Sequence, residues 1–209
     1  MTDADLNNKK VQEYLGMATR PVYIKLYKQG AIIEQSCFEK IENRLTFCHF
    51  VHEAAEGKNF LIRLENLKCS NAELTLGLRE PKHGDVDFRI KGKINAVRIG
   101  QSENADIVIL ILNPEQVMSV ANLIGGINLR FRKNRAVCGD CVAEVYNSGQ
   151  PRISFLCIGS RTDGHFTDNE LILSLPYKMF LELPSKTSKF ASLSRSAKDS
   201  LAQRLLSIH

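Results

Sequence analysis

The stretch Asp106-Ile-Val-Ile-Leu-Ile-Leu112 constrains the fold more than any other part of the chain. Its continuous apolar run offers no side to water, so as a strand it must be covered on both faces. Asn113-Pro114 follows directly, an N-cap residue before a proline at the first helical position. The chain therefore leaves a buried strand and enters a helix, with Val117, Met118, Ala121 and Ile124 as its expected buried face and Gly125-Gly126 as its end. A doubly covered strand followed at once by a helix predicts an α/β protein, a mixed sheet with flanking helices.

The remaining pattern fits that frame. Leu6, Val11, Tyr14 and Leu15 share one face of an N-terminal helix that Thr2 would cap and Gly16 would stop. Pro21–Tyr27 alternates like a strand, and Phe60–Leu64 reads as another. Ser36 with Glu39 forms a capping box and predicts a short helix through Phe38, Ile41 and Leu45. A helix is expected from Cys48 to Glu56, and one capped by Ser70 or Asn71. Strands at Val86–Lys91 and Ile94–Ile99 would form a hairpin. Further strands are expected at Leu129–Arg132, Ile153–Cys157 and Leu171–Leu175, with a helix near Cys141–Tyr146. Residues 1–184 read as one α/β domain, and 185–209 as a basic amphipathic tail.

Charge argues against nucleic acid as a partner. The chain carries +5, but five basic residues and one acid lie in Ser185–His209, leaving the body nearly neutral. A nucleic-acid-binding domain should be basic on its folded face. No run reaches the ~18 apolar residues of a spanning helix. The opening MTDADLNNKKVQEYL lacks the basic and apolar regions of a signal peptide, so a cytoplasmic location is expected. Oligomeric state is not legible.

Six cysteines in a reducing compartment do not imply three bridges. Cys48, Cys69 and Cys138 would each lie at a helix N-terminus, where backbone N–H groups favour a thiolate. Cys157 enters the turn Ile-Gly-Ser-Arg161 at a strand end. Cys138-x-x-Cys141 is the single CxxC, which by itself is weak evidence for a metal ribbon. The other separations match no local ferredoxin motif, so any site would be assembled by the fold. An iron–sulfur cluster held by Cys48, Cys69, Cys138 and Cys157 is one reading. Small buried thiols that only pack is the competing one. Zinc is a third, with His52 one turn beyond Cys48 as a further ligand. Thiol redox chemistry at Cys138 and Cys141 is a fourth.

Anion binding is also open. Gly159-Ser160-Arg161 follows a strand end, where α/β folds bind ligands, and Asn113 follows another. Arg130, Arg132, Lys133 and Arg135 form a basic cluster that equally serves as a solvated strand edge. No GxGxxG, Walker loop or GxSxG is present, and no spacing marks a catalytic triad.

Several segments occur together in a recognisable order. They are Arg44-Leu-Thr-Phe-Cys48, Ala54-Ala55-Glu56-Gly57-Lys58, Cys69-Ser-Asn-Ala and Leu76-Gly-Leu78. Asp106 to Gln116, Cys138, Gly149 to Arg161 and Glu170 to Tyr177 follow. In these, over about Pro21 to Leu183, the chain resembles domain-of-unknown-function family 169, the uncharacterised archaeal family labelled ArCR. The resemblance implies an anaerobic setting, which suits oxygen-sensitive clusters, and supplies no reaction. Cys37 and Cys141 lie outside its pattern.

The expectation is thus an iron–sulfur protein for electron transfer, redox sensing or cofactor handling, with a redox partner protein. Gly159, Ser160 and Arg161 would supply donors around the ligands. The alternative is a metal-free module that holds an anionic metabolite or cofactor with Asn113, Gly159, Ser160 and Arg161.

Overall fold

The computed structural model describes residues 3–33, 37–82, 89–102, 104–127 and 136–187, with side chains from residue 8 onward. Its centre is a six-stranded sheet: β1 (Val22–Lys28), β2 (Phe60–Ile62), β3 (Ile94–Gly100), β4 (Ile107–Leu112), β5 (Arg152–Ser154) and β6 (Leu171–Pro176). The strand order is β2-β3-β1-β4-β6-β5, and every ladder is antiparallel. The helix-flanked α/β architecture is the expected one, but the sheet, expected to be mixed, is antiparallel: each described strand meets its neighbours running the opposite way. Both edge strands are three residues long, which limits their use as templates for further pairing.

Strand β4 is buried at all six positions. Ile107, Ile109 and Ile111 enter one core, while Val108, Leu110 and Leu112 enter the other. The period of two divides one apolar run between two layers. On one face lie α2 (Phe47–Ala55), α3 (Ser70–Thr75), a π-helical segment over Val137–Ala143, and α5 (Glu144–Ser148). On the other lie α1 (Asp3–Leu15), α4 (Pro114–Leu123) and a helix over 177–187. The short α6 (Ile158–Thr162) follows β5 and packs against α2. Among the described residues no helix is long and apolar enough to cross a membrane.

Several local expectations need correction. The Ser36–Glu39 capping box opens no helix over 38–45. Glu39 N–H donates instead to the Asn59 carbonyl, and Leu45 bridges to Leu67. These long-range bonds satisfy the backbone better than one isolated turn would. Ile94–Gly100 is a strand, but it pairs with β1 and β2 rather than with a hairpin arm. Residues 89–91 are not strand, and 86–88 lie outside the described residues. Helix α4 has the expected Asn113 N-cap and Pro114, and Gln116 completes a capping box, yet it buries Val117, Val120 and Leu123 and leaves Met118 62% exposed. The expected strand at Leu129–Arg132, the basic cluster around it and the tail beyond 187 lie outside the described residues.

Candidate functional site

Four separate segments converge on one pocket in the first layer. Thr46 caps α2 by accepting from His49 N–H, which sets Cys48 in the first turn. Cys69 is itself the N-cap residue of α3, correcting the expectation that Ser70 or Asn71 holds that place. Arg44 fixes the approach to α3, donating to the Leu67 carbonyl at 2.6 Å and pairing with Glu73 at 2.9 Å. Cys138 lies in the first turn of the π-helical segment. Cys157 is the N-cap residue of α6.

Cys48, Cys69, Cys138 and Cys157 all line a cavity of about 770 Å³, with Phe47, Leu156 and Ile158 among its apolar walls. The pocket brings the four expected thiols together from positions spread over most of the described chain. Among the described residues no three His, Cys, Asp or Glu side chains form a group able to hold one metal ion. The thiols form a wall around a space instead.

Ser160 joins two of them. Its fully buried hydroxyl stands 3.0 Å from Cys48 Sγ and 3.2 Å from Cys157 Sγ. The Cys157 thiol is pulled down to about 5. Its hydrogen bond with Cys48 contributes most, and Ser160 and the N–H groups of Ser160 and Gly159 add to it against the cost of burial. Cys48 is pushed up because its proton serves that hydrogen bond, and burial adds to the effect. The two thiols therefore share one proton, with the anion on Cys157. Burial pushes the Cys138 thiol up, and the charges of Cys69 and Cys157 raise it further. The Asn71 side-chain amide reaches 4.0 Å from Cys138 Sγ, a contact not foreseen from the sequence.

The other candidates separate. Gly159 lines the pocket. Arg161 braces the loop beyond it, donating to the carbonyls of Phe155 and Thr167 and pairing with Asp168 at 3.7 Å. Asn113 spends its carboxamide on Gln116 N–H at the start of α4, in the opposite layer, and is not among the pocket-lining residues. His52 packs on Phe166 at 5.5 Å between ring centres and is likewise absent from the lining. Cys141 points into the core beneath the Ile172 carbonyl, at 3.6 Å, and is fully buried. The CxxC is thus split by its helical turn, one thiol to the pocket and one to the core. Cys37 is exposed.

Two backbone features hold the pocket and were not legible beforehand. Leu156 has φ of 67°, an uncommon conformation for a bulky residue, and it directs the chain into Cys157. Gly164 lies against α2, where an added Cβ would come within 2.5 Å of the Ser160 carbonyl and 2.8 Å of Cys48 Cβ. Neither contact can relax by a rotamer change. Gly164→Ala is expected to cost about 1–3 kcal/mol in chemical denaturation. It should also weaken the Cys48–Ser160–Cys157 contacts, read as slower labelling of Cys157 at pH 6.

The family model for uncharacterised ArCR, domain of unknown function 169, matches residues 10–98 and 94–185. The chain belongs to this family. The matched residues include all four pocket cysteines, Ser160 and Gly164. No curated protein and no solved structure matches the chain.

Proposed function

We propose that this family member holds an iron–sulfur cluster with Cys48, Cys69, Cys138 and Cys157, and serves in electron transfer, redox sensing or cofactor handling. The observation that carries the reading is that four thiols from four segments wall one apolar pocket. The donor set fits the group. Thiolates are the usual cluster ligands, and hydrogen bonds to sulfur with a dry surround set the potential. A cavity of about 770 Å³ has room for a polynuclear group, whereas zinc with four thiolates needs them drawn around one ion.

The chain's own residues have distinct tasks here. Cys157 is already close to its ligating form, while Cys48 and Cys138 must give up protons, so binding releases protons and strengthens as pH rises. Ser160 and Asn71 offer donors to sulfur. Phe47 and Leu156 present apolar surface to the pocket. When bound, the cluster would supply one-electron exchange. A redox partner protein would meet the surface near the pocket, in a reducing compartment such as the cytoplasm.

Reconstitution with ferrous iron and sulfide under strict anaerobiosis tests the reading. A broad absorption near ~400 nm that survives desalting is expected. Protein that takes up zinc but develops no such band would overturn it.

A further inference from the structure

The cysteine pair bridged by Ser160 has a second chemistry available. Cys48 and Cys157 lie 109 residues apart in sequence, yet both sulfurs rest on one buried hydroxyl, at 3.0 and 3.2 Å. Both line the cavity, Cys157 half-buried and Cys48 buried. Cys141, the CxxC partner of Cys138, is held in the core against two backbone carbonyls. The pair placed for thiol exchange is therefore not the one adjacent in sequence.

We infer that Cys48 and Cys157 form a dithiol–disulfide couple that reacts with low-molecular-weight disulfides entering the pocket. Cys157 Sγ attacks one sulfur of the small disulfide. Its S–S bond breaks, a mixed disulfide forms on Cys157, and the first small thiol leaves as a thiolate that takes a proton from water. Cys48 Sγ then attacks Cys157 Sγ. The mixed disulfide breaks, the second small thiol leaves with the Cys48 proton, and a Cys48–Cys157 bond remains. Two electrons pass from the protein thiols to the small disulfide, which is reduced to two thiols.

The assignment of roles follows from access. The incoming disulfide reaches the more exposed sulfur, Cys157, first, and the buried Cys48 resolves. The product ties α2 to α6, two elements already in contact. It also removes two of the four thiols from the pocket wall. That consequence, a switch between a cluster-binding dithiol and a non-binding disulfide, rests on the proposed function. The couple itself does not.

Equilibration of the full-length chain, free of added iron, in buffers of defined reduced-to-oxidised glutathione ratio tests the couple. Acid quenching, alkylation and peptide mapping read the result. Two of the six thiols should disappear together, in one peptide pair linking 48 to 157. Cys48→Ser should accumulate glutathione on Cys157, and Cys157→Ser should leave Cys48 reduced. A link between other cysteines, or Cys48 and Cys157 both reduced while others oxidise, would overturn the inference. The map of the unsubstituted chain decides the matter even if a variant fails to fold. A 48–157 link in protein that never takes up iron would leave the couple standing and remove the cluster. Iron uptake without any such link would do the reverse.

Discussion

Cys69→Ala is expected to bring iron per chain to near zero while costing the metal-free fold only about 1 kcal/mol. Cys69 is half-buried at the N-cap of α3 and borders the cavity. Its side chain caps no helical N–H, so its loss removes no capping bond. Deleting one sulfur leaves a small gap, comparable to a lost methyl group. As one of four ligands, however, it should be indispensable, since three thiolates leave an iron site open. Cys141→Ala is the matched control. Its fully buried sulfur sits under the Ile172 and Arg152 carbonyls, so the stability cost should be at least as large. Its iron content should stay normal. Iron loss and stability loss thus fall on different cysteines. Denaturation of the metal-free variants and iron assay of the reconstituted ones check both halves. Normal iron in Cys69→Ala would remove it from the ligand set.

Labelling of Cys157 should be fast at pH 6 and should lose its advantage in alkali. With its thiol held at about 5, most of Cys157 is thiolate at pH 6. A free small thiol with a value near ~8.5 has well under ~1% thiolate there. The gain in thiolate is a few hundred-fold, and the lower basicity returns about thirtyfold of it. A net advantage of about tenfold remains at pH 6. By pH 9 the reference thiol is mostly ionised and the order reverses. The sign follows from the lowered value: labelling falls only as pH drops through about 5. Cys48→Ala should slow labelling at pH 6, because the hydrogen bond from Cys48 is the largest influence holding Cys157 ionised. Iodoacetamide kinetics on metal-free full-length protein, resolved by peptide, give all three results. Cys157 labelling that rises steadily from pH 6 to 9 like the reference thiol would contradict the shared-proton geometry.

How much of this was written in the chain depends on the range of the forces involved. The β4–α4 unit was legible because its signals are local: an unbroken apolar run, an N-cap asparagine, and a proline at the first helical turn. The capping box at Ser36–Glu39 is equally local and misled, because Glu39 and Leu45 bond to residues far along the chain. Pro184 suggests a boundary, yet helix continues to residue 187. Phe180 and Leu183 are fully buried in the second core, and that burial offsets the bond the proline cannot donate. At the site, the chemistry of Cys48, Cys69, Cys138 and Cys157 singled them out, because thiols entering helices are candidate ligands wherever the fold takes them. Their convergence on one cavity was not legible, since no local spacing encodes it. Asn71 was read only as a candidate cap and Gly164 gave no signal, because their roles at the pocket exist only once α2, α3 and the loop after α6 are packed.

The most direct measurement is iron and acid-labile sulfide per chain in protein produced and purified under strict anaerobiosis. The account predicts both, in comparable amounts, with both lost in Cys69→Ala and retained in Cys141→Ala. Folded protein that carries neither iron nor sulfide, with Cys48, Cys69, Cys138 and Cys157 all reduced, would contradict it.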